Sequence, residues 1–431
     1  MIKKIISNSF FKNISVLVTG TVIAQILPIS IQPILKRLFE PEVFGAFDIY
    51  LKTLGVLCVI FTLSYEYGIV IPKRQVSAVN ILYTLLVLSL SLFILSELII
   101  IVCYEWIIEV LKFPVEYGYA LYILPLSALF FTLSSSMVYL LIREKKFKSI
   151  SVTKVGKRGS EGVTQLVGGF MGKSSGLFIG DLIGNIICLV LSIKASFKSF
   201  NFWNSHYSYN VFKKVICKYF YIPRDSFIPV LINSLAMSSI TFTVLYKFNI
   251  VMVGYLELTQ KILIVPTALV GTAVSKVVLE QVSSARQNKI SCYRKVLFVF
   301  LFLVCISVPF FIIILMWGKE IFEFIFGSEW AISGIYAETL IYAAIISFMI
   351  SPLSTTLIGL DKFKINALWM YLRIGLYVTL FVIPFKELSD YLIWYVIVEI
   401  FIYLIYLFII SYSLFTYEKN LRTSLVCFDN N

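Results

Sequence analysis

Histidine is almost absent from this 431-residue chain; His206, in a polar stretch, is the only one. Metal centres and nucleophile–base pairs built on imidazole therefore have almost nothing to work with. Charge is scarce as well, at 14% of residues against 59% hydrophobic, and the mean hydropathy is +0.91. A water-soluble domain of this length could not cover that much apolar surface. No G-x-x-x-x-G-K stretch occurs (GGFMGK at 168–173 has the wrong spacing), nor H-E-x-x-H, nor G-x-S-x-G. Cys58, Cys103, Cys188, Cys217, Cys292, Cys305 and Cys427 form no C-x-x-C, and at least four of them lie in apolar runs, so they read as small packing residues. The expectation is a protein without catalytic machinery, metal or cofactor.

What the chain does have is apolar runs of ~18 residues or more, each able to cross a ~30 Å hydrocarbon layer as a helix. The pattern predicts spans near 14–35, 46–71, 79–103, 118–142, 152–172 and 175–195, then near 228–248, 256–279, 296–317, 333–358, 365–384 and 390–413. Alternating ten-residue segments, the mark of an outer-membrane barrel, are missing. The expected fold is an all-α polytopic membrane protein with about twelve transmembrane helices in two pseudo-symmetric six-helix lobes. The lobes are residues 1–195 and 226–431, and a basic linker, 196–225, joins them. The N-terminus carries Lys3, Lys4 and Lys12 before an apolar run but no small-x-small cleavage site, so it reads as an uncleaved first span.

A net charge of +13 would suit nucleic acid if it lay on one soluble face. Instead the bases gather at span ends. With the N-terminus inside, 23 of the 37 lysines and arginines fall in cytoplasmic segments and 7 outside. That asymmetry sets the orientation and puts both termini in the cytoplasm. Nucleic acid is excluded as a partner; anionic lipid headgroups and an anionic substrate fit better. The linker aromatics Phe202, Trp203, Tyr207, Tyr209, Tyr219 and Tyr221 suit a membrane surface.

Two internal echoes support the two-lobe reading. Gly45-Ala46-Phe47-Asp48-Ile49-Tyr50-Leu51-Lys52 returns 209 residues later as Gly254-Tyr255-Leu256-Glu257-Leu258-Thr259-Gln260-Lys261. Leu141-Ile142-Arg143-Glu144-Lys145-Lys146-Phe147-Lys148 returns after 216 as Leu357-Ile358-Gly359-Leu360-Asp361-Lys362-Phe363-Lys364. Two matches at nearly one offset, in the same order, indicate equivalent halves.

Seven bases lie within spans: Lys52, Lys154, Lys157, Arg158, Lys261, Lys276 and Arg373. A charge at mid-membrane costs about 2.5–3.5 kcal/mol on insertion scales and so tends to mark a watery path. Lys154 and Lys276 are near enough to span ends to snorkel. Lys157 and Arg158, with Glu161 a turn away, are deeper and read as lining a cavity. The acids within spans are Asp48, Glu66, Glu97, Glu161, Asp181, Glu257 and Glu399, of which Asp48, Glu66, Glu161 and Glu257 are candidates to carry a coupling ion. Asp48 with Lys52, and Glu257 with Lys261, are spaced four apart and can equally well neutralise each other. Glycines 168, 172, 176, 180 and 184 recur every fourth residue, a spacing that lets helices approach closely. Pro28 and Pro33 in the first span and Pro229 in the seventh place kinks in equivalent helices.

Thr19-Gly20-Thr21, Ala24-Gln25 and Pro33-Ile34-Leu35-Lys36-Arg37-Leu38-Phe39-Glu40-Pro41-Glu42-Val43-Phe44-Gly45 resemble the opening of bacterial polysaccharide (O-antigen-type) flippases. Tyr65-Glu66 through Pro72-Lys73, then Ala78-Val79-Asn80, resemble the same family, as do Asn233, Gly254-Tyr255 and Pro266. The resemblance implies a member of the multidrug/oligosaccharidyl-lipid/polysaccharide exporter superfamily in the bacterial cytoplasmic membrane. It implies two lobes that export a polyprenyl-diphosphate-linked oligosaccharide by alternating access, without ATP. Membrane lipids, a polysaccharide polymerase and chain-length machinery are the further partners it suggests. The family pattern has threonine or serine where this chain has Lys36, just before Arg37. On this reading Arg37, Lys52, Lys157, Arg158, Lys261 and Arg373 form a cationic cavity for the diphosphate. An ion-coupled drug exporter of the same superfamily is the alternative, and a glycan polymerase or glycosyltransferase a more distant one, since no large outer loop is present.

Overall fold

The computed structural model describes residues 9–72, 74–197 and 209–429. The expectations for Lys3, Lys4, Lys73, Phe202, Trp203, His206 and Tyr207 fall outside the described residues. The helices are α1 (Ser9–Leu38), α2 (Pro41–Thr62), α3 (Gln75–Val110), α4 (Tyr119–Arg143), α5 (Phe147–Phe170), α6 (Ser175–Phe197) and α7 (Tyr209–Tyr219). They continue with α8 (Tyr221–Lys247), α9 (Ile250–Gln287), α10 (Tyr293–Phe326), α11 (Ala331–Ile350), α12 (Thr355–Gly359), α13 (Phe363–Val382) and α14 (Leu388–Asp429). No strand occurs among the described residues. Apart from the short α7 and the one-turn α12, twelve long helices follow one another among the described residues, six on each side of α7. Nine helical segments among the described residues are long and apolar enough to cross a bilayer. Helix α5 is not one of them, because Lys154, Lys157, Arg158 and Glu161 interrupt its apolar run. The chain is an all-α, multi-pass membrane protein. Large exposed side chains such as Val102, Phe298 and Phe408 belong to faces that hydrocarbon covers.

Two predicted stretches differ from what is observed. The span expected over 46–71 ends as an α-helix at Thr62. Leu63 and Ser64 take left-handed φ values of 45° and 62°, and a tight 3₁₀ turn, Tyr65–Ile69, follows. Its Tyr65 and Ile69 pack into a core with Val79, Leu82, Leu140, Tyr219 and Ile222. Hydropathy runs straight through this corner because its residues are apolar enough to be buried. The linker, for its part, contains helix α7, whose last residue, Tyr219, closes that same core.

The chain forms two compact units, Met1–Gly254 and Tyr255–Asn431. In the first, α5 packs along α6 through small residues. A Cβ on Gly168 would lie 2.5 Å from the Cα of Gly176, and one on Gly180 2.6 Å from Gln165 Cγ. Gly168, Gly176, Gly180 and Gly184 thus set how closely these two helices approach, while Gly172 lies in the turn between them at φ 66°. In the second unit α11 packs between α10 and α14. Gly318 and Gly334 let α10 and α11 touch, and Thr259 Oγ1 and Ser333 Oγ each donate to a carbonyl of the opposing helix, to Ser333 and Tyr255 respectively.

The second echo has the same backbone twice. Lys145 and Asp361 both sit at φ 58°. The N–H of Lys146 donates to Leu141 O at 2.9 Å, and that of Lys362 to Leu357 O at 2.8 Å. Both are left-handed helix caps in which the 6→1 bond satisfies a terminal carbonyl. Even the side chains correspond: Lys146 Nζ reaches Ala195 O at 3.1 Å in α6, and Lys362 Nζ reaches Ser413 O at 3.4 Å in α14.

The first echo accounts for a second contact, inside the first unit. A Cβ on Gly45 would lie 2.1 Å from Ile250 O, and one on Gly254 would lie 1.8 Å from Pro41 O. Backbone cannot yield as a flexible side chain can. Gly254→Ala should therefore destabilise the protein by about 1–3 kcal/mol through overpacking, lowering its thermal midpoint in detergent. Gly159→Ala, where nothing lies within 4 Å, is the control and should leave the midpoint in place. Equal midpoints for the two variants would remove the role assigned to this contact.

Candidate functional site

The sequence-selected residues fall into separate clusters, and most of the bases among them have a polar or acidic partner close by. In the first unit α5 carries three of them on a polar face. Arg158 Nη1 donates to Glu161 Oε2 at 2.8 Å, one turn away. Lys157 Nζ donates to Asn185 Oδ1 of α6 at 2.5 Å and stands 4.6 Å from the Phe131 ring centroid. Asn185 Nδ2 in turn donates to Asp181 Oδ2 and to Ser127 Oγ, both at 3.0 Å. Asp181 Oδ2 also accepts from Ser127 Oγ at 2.6 Å and from the Tyr50 hydroxyl at 3.2 Å. Side chains of α2, α4 and α6 thus converge on one carboxylate that is 3% exposed, and Lys157 of α5 is linked to it through Asn185.

Aromatic packing holds this arrangement. Phe178, a turn before Asp181, is met edge-on by Phe47, Tyr50 and Tyr119 at centroid distances of 5.6, 5.4 and 5.8 Å. Tyr50 is fixed on its ring face and can aim its hydroxyl at Asp181. Sequence reasoning placed Asp181 among the intramembrane acids but gave it no role. Its partners lie 131 and 54 residues away in the chain, where periodicity cannot reach.

Elsewhere in the first unit Asp48 accepts from Thr241 Oγ1 of α8 at 2.8 Å and faces Lys52 Nζ at 4.0 Å. Arg37 is exposed at the end of α1. Its neighbour Lys36 is the buried one, at 2% exposure, with Nζ 3.2 Å above the centre of the Phe44 ring. A cation over an aromatic face is stabilised most when desolvated, so the residue that departs from the flippase pattern is a packing element here. Glu66 lies in the 3₁₀ turn, outside the helix, and its Oε2 is buried without a hydrogen-bond partner among the described residues.

In the second unit Glu257 and Lys261 form an ion pair along α9. Arg373 is built in more deeply. Its Nη2 donates to Glu399 Oε1 at 3.2 Å and its Nε to the Tyr377 hydroxyl at 2.8 Å. The rings of Trp369, Tyr377 and Tyr403 surround the guanidinium at 5.6, 5.3 and 5.7 Å. Tyr377 and Tyr395 both donate to the same Glu399 oxygen, and Trp369 Nε1 donates to Ile402 O at 3.2 Å. Glu399, like Asp181, was seen in the sequence as a span acid and given no role.

With this geometry in place, the chain can be set beside known proteins. Its sequence matches the family described as polysaccharide biosynthesis protein over residues 34–335, about 70% of its length. The chain belongs to that family. No curated protein matches its sequence. Solved structures supply the fold. An inward-facing multidrug resistance MATE family transporter of the MOP superfamily superposes with a TM-score of 0.72 at 13% identity, covering 92% of this chain and 99% of that one. The lipid II flippase MurJ, in an inward closed conformation, gives 0.72 at 15% identity, covering 95% and 91%. A MOP superfamily transporter from Pyrococcus furiosus gives 0.62 at 14% identity, covering 94% and 95%. This polysaccharide biosynthesis protein therefore has the fold of MOP superfamily transporters and flippases.

The Arg373 cluster offers a direct check on its internal energetics. Breaking a buried pair from one side leaves an uncompensated charge, worth about 3–5 kcal/mol. Arg373→Met and Glu399→Gln should each lower the thermal midpoint in detergent, and the double variant should recover much of the loss. Additive losses in that double-mutant cycle would mean that the pair is not coupled.

Proposed function

We propose that this protein is a flippase that moves a polyprenyl-diphosphate-linked oligosaccharide, an O-antigen or capsule repeat unit, across the bacterial cytoplasmic membrane. The reading has two six-helix lobes, 1–195 and 226–431, rocking about a cationic cavity, with 196–225 as a cytoplasmic linker and both termini inside. The match to the polysaccharide biosynthesis family carries it. The fold shared with transporters and a lipid flippase supports it, as does the presence of basic side chains in the spans of both units. The activity is transport and not catalysis.

The pairing of those bases suggests how anion binding and ion coupling connect. Lys52, Lys157, Arg158, Lys261 and Arg373 would offset the diphosphate, with Arg37 at the rim. Arginine can fork onto two phosphate oxygens and lysine acts as a point charge. Each of these five intramembrane bases already has a local partner, so a diphosphate must compete with it. Protonating a masking acid (Asp48, Glu161 or Glu257) would release its base, and the same proton would be carried with the cycle. Glu66, whose orphaned oxygen lies in a corner turn, is the fourth coupling candidate. Asp181 holds Lys157 in place through Asn185. A polymerase and chain-length machinery are the expected protein partners, with membrane lipids around them.

The test is transport in liposomes carrying a fluorescent polyprenyl-diphosphate oligosaccharide, read as the fraction open to an external quencher over time. The expected result is flipping well above empty liposomes, abolished by Arg158→Glu and at least ten-fold slower in Arg158→Met, both variants inserting and melting normally. Normal flipping by those variants would remove Arg158 from the path. No flipping by folded wild type, with efflux of cationic dyes instead, would favour the drug-exporter reading.

A further inference from the structure

A cavity of about 320 Å³ lies between the first turns of α5 and the last turns of α6, lined by Lys148, Val152, Thr153, Leu191, Lys194 and Ala195. It is not part of the site described above. Its charge is one-signed: Arg143, Lys145, Lys146, Lys148 and Lys194 gather at this end of the bundle, with Glu144 the only acid among them. Two of those bases are engaged in holding the corner. Arg143 Nη1 donates to Ile69 O at 3.2 Å and Val70 O at 3.3 Å. Lys146 Nζ meets Ala195 O at 3.1 Å and Glu144 Oε2 at 3.3 Å. Lys148 and Lys194 are exposed, and neither ammonium has a partner among the described residues.

An apolar track begins where the cavity ends. Along α5, Val152, Val163, Val167 and Phe170 are 51, 62, 53 and 71% exposed, and Gly159 has nothing within 4 Å of where its Cβ would be. Counted from Lys148, these residues fall at +4, +11, +15, +19 and +22, which keeps them on one side of an α-helix. At 1.5 Å per residue the track is roughly 33 Å long. Two unpaired ammonium groups at the head of an exposed apolar stripe match a molecule with an anionic head and a hydrocarbon tail. A nucleotide or a free anion would make no use of the stripe.

We propose that the cavity and track together bind an anionic phospholipid, with its phosphate between Lys148 and Lys194 and an acyl chain along α5. Basic pockets between transmembrane helices recognise phosphate headgroups in this way. The internal symmetry sharpens the assignment. The lysine that meets Ala195 in the first half has its counterpart on Ser413 in the second. Lys194 therefore corresponds to Tyr412, and the double-lysine site exists in one half alone. The proposal does not depend on what the protein transports.

The test is a lipid titration of delipidated protein by native mass spectrometry. Phosphatidylglycerol should be retained over phosphatidylcholine by roughly 30-fold, about 5-fold for each lysine. Lys148→Gln with Lys194→Gln should bring that preference to near unity, and each single change to about 5-fold, with helix content and melting unchanged. Lys364→Gln, the symmetry-related control, should leave it intact. Retention of the preference in the double variant would overturn the proposal. So would displacement of phosphatidylglycerol by inorganic phosphate at comparable concentration, which would make this a free-anion site, or stronger retention of a polyprenyl diphosphate, which would make it a substrate site. Should the double variant fail to fold, the two single variants carry the test.

Discussion

A charge placed in hydrocarbon has to be answered by another, and that constraint organises the interior of both units. Lys52 faces Asp48, Arg158 faces Glu161, Lys261 faces Glu257 and Arg373 faces Glu399. Lys157 is answered less directly, through the carbonyl oxygen of Asn185, whose amide in turn donates to Asp181. The desolvation of either member alone is severe, and a close, hydrogen-bonded partner is what keeps each base charged. Thus the interior is basic in the choice of side chains yet nearly neutral in local charge. On the transport reading this matters, because an unmasked cationic cavity would hold a diphosphate too tightly to release it. A masked one makes binding a substitution of one anion for another, and the carboxylates set its strength.

The two units solve the same problem with different chemistry. The first gathers hydroxyl and amide groups from three helices around the Asp181 carboxylate, so its cost is met by hydrogen bonds. The second surrounds Arg373 with three aromatic rings and gives Glu399 two phenol donors. Aromatic faces can hold a guanidinium without competing for its hydrogen bonds. Each design restricts side-chain freedom around its base. These charged side chains are therefore presented in fixed positions, apart from any motion of the helices that carry them.

How far this was readable from the sequence depends on how far apart the partners lie in the chain. The number and order of the long helices follow from hydropathy, and three of the ion pairs follow from helical spacing, since Lys52, Lys261 and Arg158 have their acids three or four residues away. The Arg373–Glu399 pair, separated by 26 residues, and the Tyr50–Ser127–Asp181 convergence are products of tertiary packing and leave no periodic trace. The corner at Leu63–Ser64 escaped for another reason. Neither residue is glycine, asparagine or aspartate, so nothing in its composition announces a left-handed turn. Helix α7 lay inside a stretch read only as polar linker, although Tyr219 at its end is anchored in the core.

The two sequence echoes are explained by what they do. The later one, at Lys145 and Asp361, encodes a helix cap whose backbone and lysine contacts are the same in both halves. The earlier one encodes a reciprocal contact. Gly45 leaves room for the carbonyl of Ile250, which is four residues before Gly254, and Gly254 leaves room for the carbonyl of Pro41, which is four residues before Gly45. Each helix start therefore offers the other the same surface, as the two sides of an isologous contact do. A contact with this local two-fold character requires the same small residue on both partners, because a side chain on either closes the gap for both. The echo of glycine, acid and lysine after 209 residues is then more than a relic of duplication. Its glycine is held by the packing of α2 on the start of α9, and its acid and lysine by the requirement that a base inside the membrane brings its own counter-charge.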